Sequence, residues 1–204
     1  MKEGLELFAN DPSANLLPCD GTVNYYGRIL IDNETRRYYE ALLHGVPWKN
    51  DEAIVFGKHL VTARKVAWYA DSNYSYTYSG TTKQALVWNA DLLALKSIIE
   101  KLTDSKFNSC LLNLYHDGNE GMAWHSDDEK SLGRNTTIAS LSFGAERKFC
   151  FKHKRSLHAT SRILENGSLL VMKEATQTNW LHSLPKSKKI KTPRINLTFR
   201  TIVF

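Results

Sequence analysis

The sequence predicts a mainly β fold with flanking helices, arranged as a double-sheet jelly roll. Three features point there: two stretches of helical spacing confined to the first half, a second half of short alternating strands, and turn residues between those strands. With 204 residues, 42% of them hydrophobic, the chain can bury about two thirds of its unfolded surface in one core.

Residues 1–20 carry Pro12 and Pro18 and no sustained period, so they read as a partly ordered arm. A single domain is expected over 21–204. Asp32 is a candidate N-cap for a helix through about His44, since Tyr38, Tyr39, Leu42 and Leu43 recur at helical spacing and Gly45 and Pro47 stop it. Strands are expected at 52–56, 65–69 and 75–78. A second helix follows Asn89, where Leu92, Leu93, Leu95, Ile98, Ile99 and Leu102 form a broad apolar face. Strands then recur at 110–115, 137–143, 148–152, 161–164, 168–172 and 194–204. Asn166-Gly167 suits a two-residue hairpin turn, because both residues tolerate positive φ.

No apolar run approaches the roughly 18 residues of a membrane helix, and the first residues lack a secretory signal pattern, so no membrane association is expected. The cysteines, Cys19, Cys110 and Cys150, are three and widely spaced, which fits a reducing compartment better than a disulfide framework. The expected location is intracellular: cytoplasmic in a bacterium, nuclear in a eukaryote. The formal net charge of +6 is unevenly distributed. Residues 1–129 hold 12 Lys and Arg against 18 Asp and Glu, whereas 130–204 hold 15 against 3. Two basic clusters, at 152–155 and 186–191, are of the kind that neutralises phosphates, and they favour a nucleic-acid partner.

His125-Ser126-Asp127 places two ligating side chains at i and i+2, which share a face on an extended strand and can converge on one ion. His182 is the leading third ligand, from a strand-like stretch of the second half. Two histidines and one carboxylate leave open positions suited to Fe(II) oxygen chemistry. The last strand adds a second demand. Arg194, Asn196, Thr198 and Arg200 fall on one of its faces, with Ile195, Leu197 and Phe199 on the other. An inward guanidinium is costly unless an anion pairs with it, so this strand implies a small anionic ligand held by a bidentate arginine.

Together, Asn113-Leu114-Tyr115, His125-x-Asp127, His182 and Arg194-x-Asn196-x-Thr198-x-Arg200 resemble the AlkB family of Fe(II)/2-oxoglutarate-dependent nucleic-acid demethylases, in the family's order. The resemblance runs through most of the chain after about residue 50. It implies a double-stranded β-helix, the jelly-roll dioxygenase fold, with a nucleotide-recognition part at 21–105 and a catalytic core at 106–204. It also implies Fe(II) on His125, Asp127 and His182, with O2 and 2-oxoglutarate as cosubstrates. Asn113, Tyr115, Arg194 and Asn196 would grip 2-oxoglutarate, Arg194 at its distal carboxylate, with Thr198 and Arg200 completing the wall.

The likeness extends to the subfamily repairing duplex DNA, through Val55-Phe56-Gly57-Lys58, Tyr76-Thr77-Tyr78-Ser79-Gly80, His125-Ser126-Asp127-Asp128-Glu129 and Ser142-Phe143-Gly144-Ala145. Phe56 would enter the base stack in place of a flipped nucleotide, offsetting part of the cost of unstacking. Tyr76, Tyr78 and Ser79 would meet the extruded base. Arg64 would contact substrate, although Ala63-Arg64 stands where relatives have Pro-Arg. Asp128 and Glu129 would favour cationic 1-methyladenine and 3-methylcytosine over normal bases. The implied activity is oxidative demethylation of alkylated DNA by a monomer, coupled to 2-oxoglutarate decarboxylation and formaldehyde release. The alternatives are an oxygenase of RNA, protein or a small molecule on the same core, and a catalytically silent nucleic-acid-binding domain.

Overall fold

The computed structural model describes residues 11–55, 58–72, 74–78 and 81–203. The first half contains β1 (Thr22–Arg28), α1 (Asp32–Gly45), β2 (Lys49–Val55), β3 (Lys58–Ala70), β4 (Ser75–Tyr78), β5 (Thr81–Gln84), β6 (Leu86–Val87) and α2 (Ala90–Thr103). The second half contains β7 (Ser109–Tyr115), β8 (Met122–His125), β9 (Ile138–Gly144), β10 (Arg147–His153), β11 (Ala159–Leu164), β12 (Ser168–Lys173), α3 (Thr176–Asn179), β13 (Trp180–Leu184) and β14 (Arg194–Arg200).

Strands β7 to β14 distribute between two antiparallel sheets. The larger sheet runs β1-β12-β9-β14-β7-β3-β2, with β6 on β3, and the smaller runs β11-β10-β13-β8. Four strands of the second half fall in each sheet, which is the predicted double-stranded β-helix. β4 and β5 form a separate two-stranded ribbon.

Alternation along the large sheet sets two environments. Cys110, Leu112, Leu114, Ala139, Leu141, Phe143, Ile195, Leu197 and Phe199 point outward and are covered by Tyr38 and Leu42 of α1 and Leu92, Leu95 and Ile99 of α2. The opposite faces point between the sheets. There Ile138, Phe151, Leu164, Leu170, Met172 and Trp180 fill one part with an apolar cluster that also takes Leu17 and Val23. Asn113, Ser140, Ser142, Arg194, Asn196 and Thr198 are buried as well, and form the polar part. A buried polar lining needs internal partners or a ligand, and it marks where the site lies.

Several boundaries differ from expectation for local reasons. Asp32 is the first helical residue of α1, not its cap; Ile31 occupies the N-cap without a side-chain bond. Asp32 acts through charge instead, at the positive end of the helix dipole and paired with Arg28. Asn89 caps α2, its side chain accepting from the Leu92 N–H at 2.8 Å. Asn89→Ala is therefore expected to cost about 1 kcal/mol of stability, read as a lower urea midpoint with an unchanged slope. The Asn166-Gly167 turn exists, with Gly167 at φ +79 and the Ser168 N–H bonded to Glu165 O. It is not a hairpin turn, because β11 and β12 belong to different sheets. The last strand stops at Arg200, since Asn108 takes over both backbone groups of Ile202.

Strands β1, β5 and β6 were not expected, and β8 ends at His125, short of the Asp127 that an extended strand was expected to carry. β1 completes the large sheet against β12. Residues 11–20 lie beside it: Asn15 bridges to Asn24, Leu17 is buried, and Trp180 Nε1 donates to Cys19 O. Among the described residues no helix is long and apolar enough to cross a membrane.

Candidate metal and oxo-acid site

β8 ends at His125, and its partner across the ladder to β13 is His182. The two imidazoles therefore face the same inter-sheet space, with centroids 4.2 Å apart in an edge arrangement. Asp127 lies just beyond the strand and turns inward, buried, with Oδ1 3.8 Å from His125 Nε2. One ligand atom from each of His125, Asp127 and His182 lies within 4.8 Å of the others.

The protonation states suit a cation. His125 Nδ1 lies 2.8 Å from the carbonyl of Ala123, which can only accept. Nδ1 therefore carries the proton and Nε2 offers its lone pair toward Asp127, the second-sphere pattern common at metal-binding histidines. Burial pushes His182 down to about 4, against the pull of Asp127, so its imidazole is neutral at pH 7. Burial alone would raise Asp127, but Arg200, then His182 and His125, outweigh it and hold the carboxyl below its ordinary value. Two imidazoles and one carboxylate are a donor set that fits Fe(II).

The depressed His182 has a consequence for the metal-free protein. The unfolded chain takes up this proton near pH 6.5 and the folded chain only near about 4, so stability falls as pH drops through that window. Urea unfolding at pH 5 should give a lower midpoint than at pH 7.5; an unchanged midpoint would show His182 already charged in the fold.

A second His/Cys/Asp group, Cys19, Asp20 and His153, is similarly compact. Its chemistry differs. His153 Nδ1 accepts from the backbone N–H groups of Ser156 and Arg155, at 3.0 and 3.3 Å. Nε2 must then hold the proton, directed at Asp20 3.3 Å away, and has no lone pair for a metal.

β14 supplies a buried polar wall, flanked by β7 and β9 with Asn196 registered against both Asn113 and Ser142. Arg194 Nη2 donates to Ser142 Oγ at 2.9 Å and to Asn196 Oδ1 at 2.7 Å. Asn196 Nδ2 donates in turn to Thr198 Oγ1, and Ser140 Oγ donates to Asn196 Oδ1. Arg194 is 2% exposed, with its Nε buried and without a hydrogen-bond partner. Among the described residues it forms no ion pair with an acidic side chain. Burial brings its pKa down to about 10, and its guanidinium lies 5.6 Å from the ring centre of Tyr115. A buried cation with no acidic partner among the described residues, and with a second cation, Arg147, acting on it, is costly unless an anion joins it. Further along the same strand face, Arg200 Nη2 lies 3.8 Å from Asp127 Oδ2, which joins the anion wall to the metal ligands.

The remaining predicted residues occupy varied places. Asn113 and Tyr115 line the wall from β7, both buried. Arg64 donates to Asn113 Oδ1 at 2.6 Å and pairs with Asp51, so its guanidinium is engaged by residues of the protein. Asp128 is exposed at the rim, accepting from Ser126 Oγ at 3.2 Å. Glu129 is half-buried, its Oε2 has no hydrogen-bond partner, and burial raises its pKa. Tyr76 and Tyr78 lie two apart on β4. Phe56 and Ser79 fall outside the described residues. The cluster at 152–155 is only partly a solvent-facing basic loop: His153 is buried, Lys152 sits over Trp124 at 4.9 Å, and Lys154 turns onto the metal-ligand segment.

Sequence reading missed Ser140, Ser142, Gln177 and Arg147. The serines were legible, as polar residues on the inward alternation of an apolar strand. Gln177 left no signal. Arg147 is 1% exposed and donates to the carbonyls of Asp117, Glu120 and Pro185, clamping the loops around Tyr115.

Comparison with known proteins agrees with this geometry. Residues 22–200 match the 2OG-Fe(II) oxygenase superfamily. The chain is 43% identical over 157 residues to DNA oxidative demethylase ALKBH2 of Bos taurus, covering 73% of this chain and 56% of that protein. It is 38% identical over 213 residues to the Bos taurus alpha-ketoglutarate-dependent dioxygenase alkB homolog 3, covering 98% of this chain and 71% of that protein. It thus spans little more than half the length of the first relative. Among solved structures, OsALKBH1 superposes with a TM-score of 0.63 at 13% identity, over 91% of this chain and 98% of that one. A Pseudomonas putida prolyl-4-hydroxylase superposes at 0.59 and 12% identity, over 88% and 92%, so the fold is shared well beyond sequence likeness. By matched span, by identity to alkB homologues and by its metal triad, the chain belongs to the AlkB branch of the 2OG-Fe(II) oxygenase superfamily.

Proposed function

We propose that this protein is an oxidative demethylase of N-alkylated bases in DNA, acting on 1-methyladenine and 3-methylcytosine. The observation that carries the reading is the single inward face of β14. It presents an anion-seeking Arg194 at one end and Arg200, beside the metal ligand Asp127, at the other. A dicarboxylate held by its distal end at Arg194 has its keto-acid end directed along that wall. Bound iron supplies oxidation of the substrate methyl group by O2, with 2-oxoglutarate as electron donor and succinate and CO2 as its products. The chain's own residues orient the cosubstrate through Arg194, Asn196, Asn113 and Tyr115, and their burial keeps water from the reacting atoms. A hydroxylated N-methyl group then leaves the base as formaldehyde.

Substrate choice rests on charge. Asp128 is an exposed carboxylate beside the ligands, followed directly by Glu129, and it favours a base bearing positive charge. Lys186, Lys188, Lys189 and Lys191 are exposed on the β13–β14 loop and suit phosphates. That loop is fixed in place: its Ser187 N–H donates to Gly118 O and its Ile190 O accepts from the Gly118 N–H, and a Cβ on Gly118 would lie 1.9 Å from Ser187 O. In this reading residues 21–105 recognise the nucleotide, with Phe56, Tyr76, Tyr78, Ser79 and Glu129 meeting the substrate, and 106–204 form the catalytic core. An intracellular monomer, cytoplasmic in a bacterium or nuclear in a eukaryote, belongs to the same reading. The test is a panel of methylated oligonucleotides as single-stranded DNA, duplex DNA and RNA, scored for formaldehyde. Release from methylated DNA supports the reading, whereas 2-oxoglutarate turnover with no formaldehyde from any member would sink it.

A further inference from the structure

β8 ends at His125, so no sheet hydrogen bonds hold the ligand Asp127. Two residues from other elements hold it instead. Gln177 of α3, itself 6% exposed, accepts the Asp127 N–H at 2.9 Å through Oε1. Its Nε2 is spent on Met172 Sδ at 3.4 Å, which fixes the amide with its oxygen toward Asp127. Lys154, at the end of β10, donates through Nζ to Ser126 Oγ at 3.0 Å and to Gln177 O at 2.9 Å. It also lies 3.9 Å from Asp128.

We propose that Gln177 and Lys154 are positioning residues for the metal: together they latch the 125–128 segment so that the Asp127 carboxylate meets the two imidazoles. The inference rests on the ligand assignment above. A buried N–H without an acceptor is costly, so the segment keeps this conformation only while Gln177 supplies one. Lys154 adds a second point of attachment on Ser126, between the two ligands, and ties it to the same helix. α3 leads directly into β13, which carries His182, so one short helix references all three ligands to each other. Lys154 thereby has a use distinct from binding phosphate.

The test is Mn(II) binding, followed by loss of the free-ion EPR signal, with thermal unfolding of metal-free protein alongside. Gln177→Leu keeps the volume and removes the acceptor; it should weaken Mn(II) about tenfold or more, within the range typical of lost supporting partners. Gln177→Glu restores an acceptor oxygen and should return the affinity to within about threefold of wild type. Lys154→Met should weaken it by a smaller factor, roughly threefold to tenfold. Unchanged affinity in Gln177→Leu, or equal weakening in Gln177→Glu, overturns the proposal. Should Gln177→Leu not fold, Lys154→Met decides, and unchanged affinity there overturns it. Wild-type protein that bound no Mn(II) would overturn the ligand assignment itself, a separate outcome.

Discussion

Asp127→Asn is expected to lower 2-oxoglutarate turnover by at least about a hundredfold, the upper end of what losing a mere supporting partner of a metal costs. The substitution keeps the volume and the backbone bond to Gln177, and removes only the charge. With only two imidazoles left, nothing in the triad carries the negative charge to balance a divalent ion. Mn(II) binding should be lost in parallel. Affinity for unmethylated DNA should stay within about twofold, because phosphate contacts dominate it and Asp127 is buried away from them. Retained turnover would refute the metal assignment; parallel loss of DNA binding would show that the substitution had disrupted the fold.

Arg194→Met should separate cosubstrate binding from folding in an unusual direction. Removing one partner of a buried charge pair costs about 2–5 kcal/mol, so the KM for 2-oxoglutarate should rise by roughly 30-fold to several thousandfold. In the protein without cosubstrate Arg194 has no anionic partner among the described residues, where it meets Ser142, Asn196 and the Tyr115 ring. Its desolvation is then uncompensated, and the variant without cosubstrate should be as stable as wild type or more so. The rise in Tm that 2-oxoglutarate gives the wild type should vanish in the variant. Marked destabilisation of Arg194→Met without cosubstrate would mean that the arginine serves the fold first.

Much of this was legible from residue order. β14 declared itself because an arginine, an asparagine, a threonine and a second arginine alternate with isoleucine, leucine and phenylalanine, and only a strand with a polar interior side explains that. His125 and Asp127 were legible as a pair, although the strand that was expected to hold both ends at His125. The second helix was readable from its apolar face and its start after Asn89, although the capping role of Asn89 was not. What escaped depends on contacts distant in sequence. The Asn166-Gly167 turn has hairpin chemistry, yet Gly167 bonds to Ser142 and Ile29 because the chain there crosses between sheets. Arg64 was expected to contact substrate, and its bond to Asn113 could not be read from the sequence because it depends on the register of β3 on β7. Lys154 read as part of a basic run, and its attachment to Ser126 and Gln177 depends on where α3 packs. β1 was missed because its partner, β12, lies in the other half of the chain.

The most direct test of the central claim is stoichiometry on a DNA oligonucleotide carrying one 1-methyladenine, with Fe(II), 2-oxoglutarate and O2 supplied. The account predicts formaldehyde and repaired adenine in equal amounts, matched by succinate, with all three absent in Asp127→Asn. Succinate formed at the same rate with and without the methylated base, and no adenine restored, would contradict it.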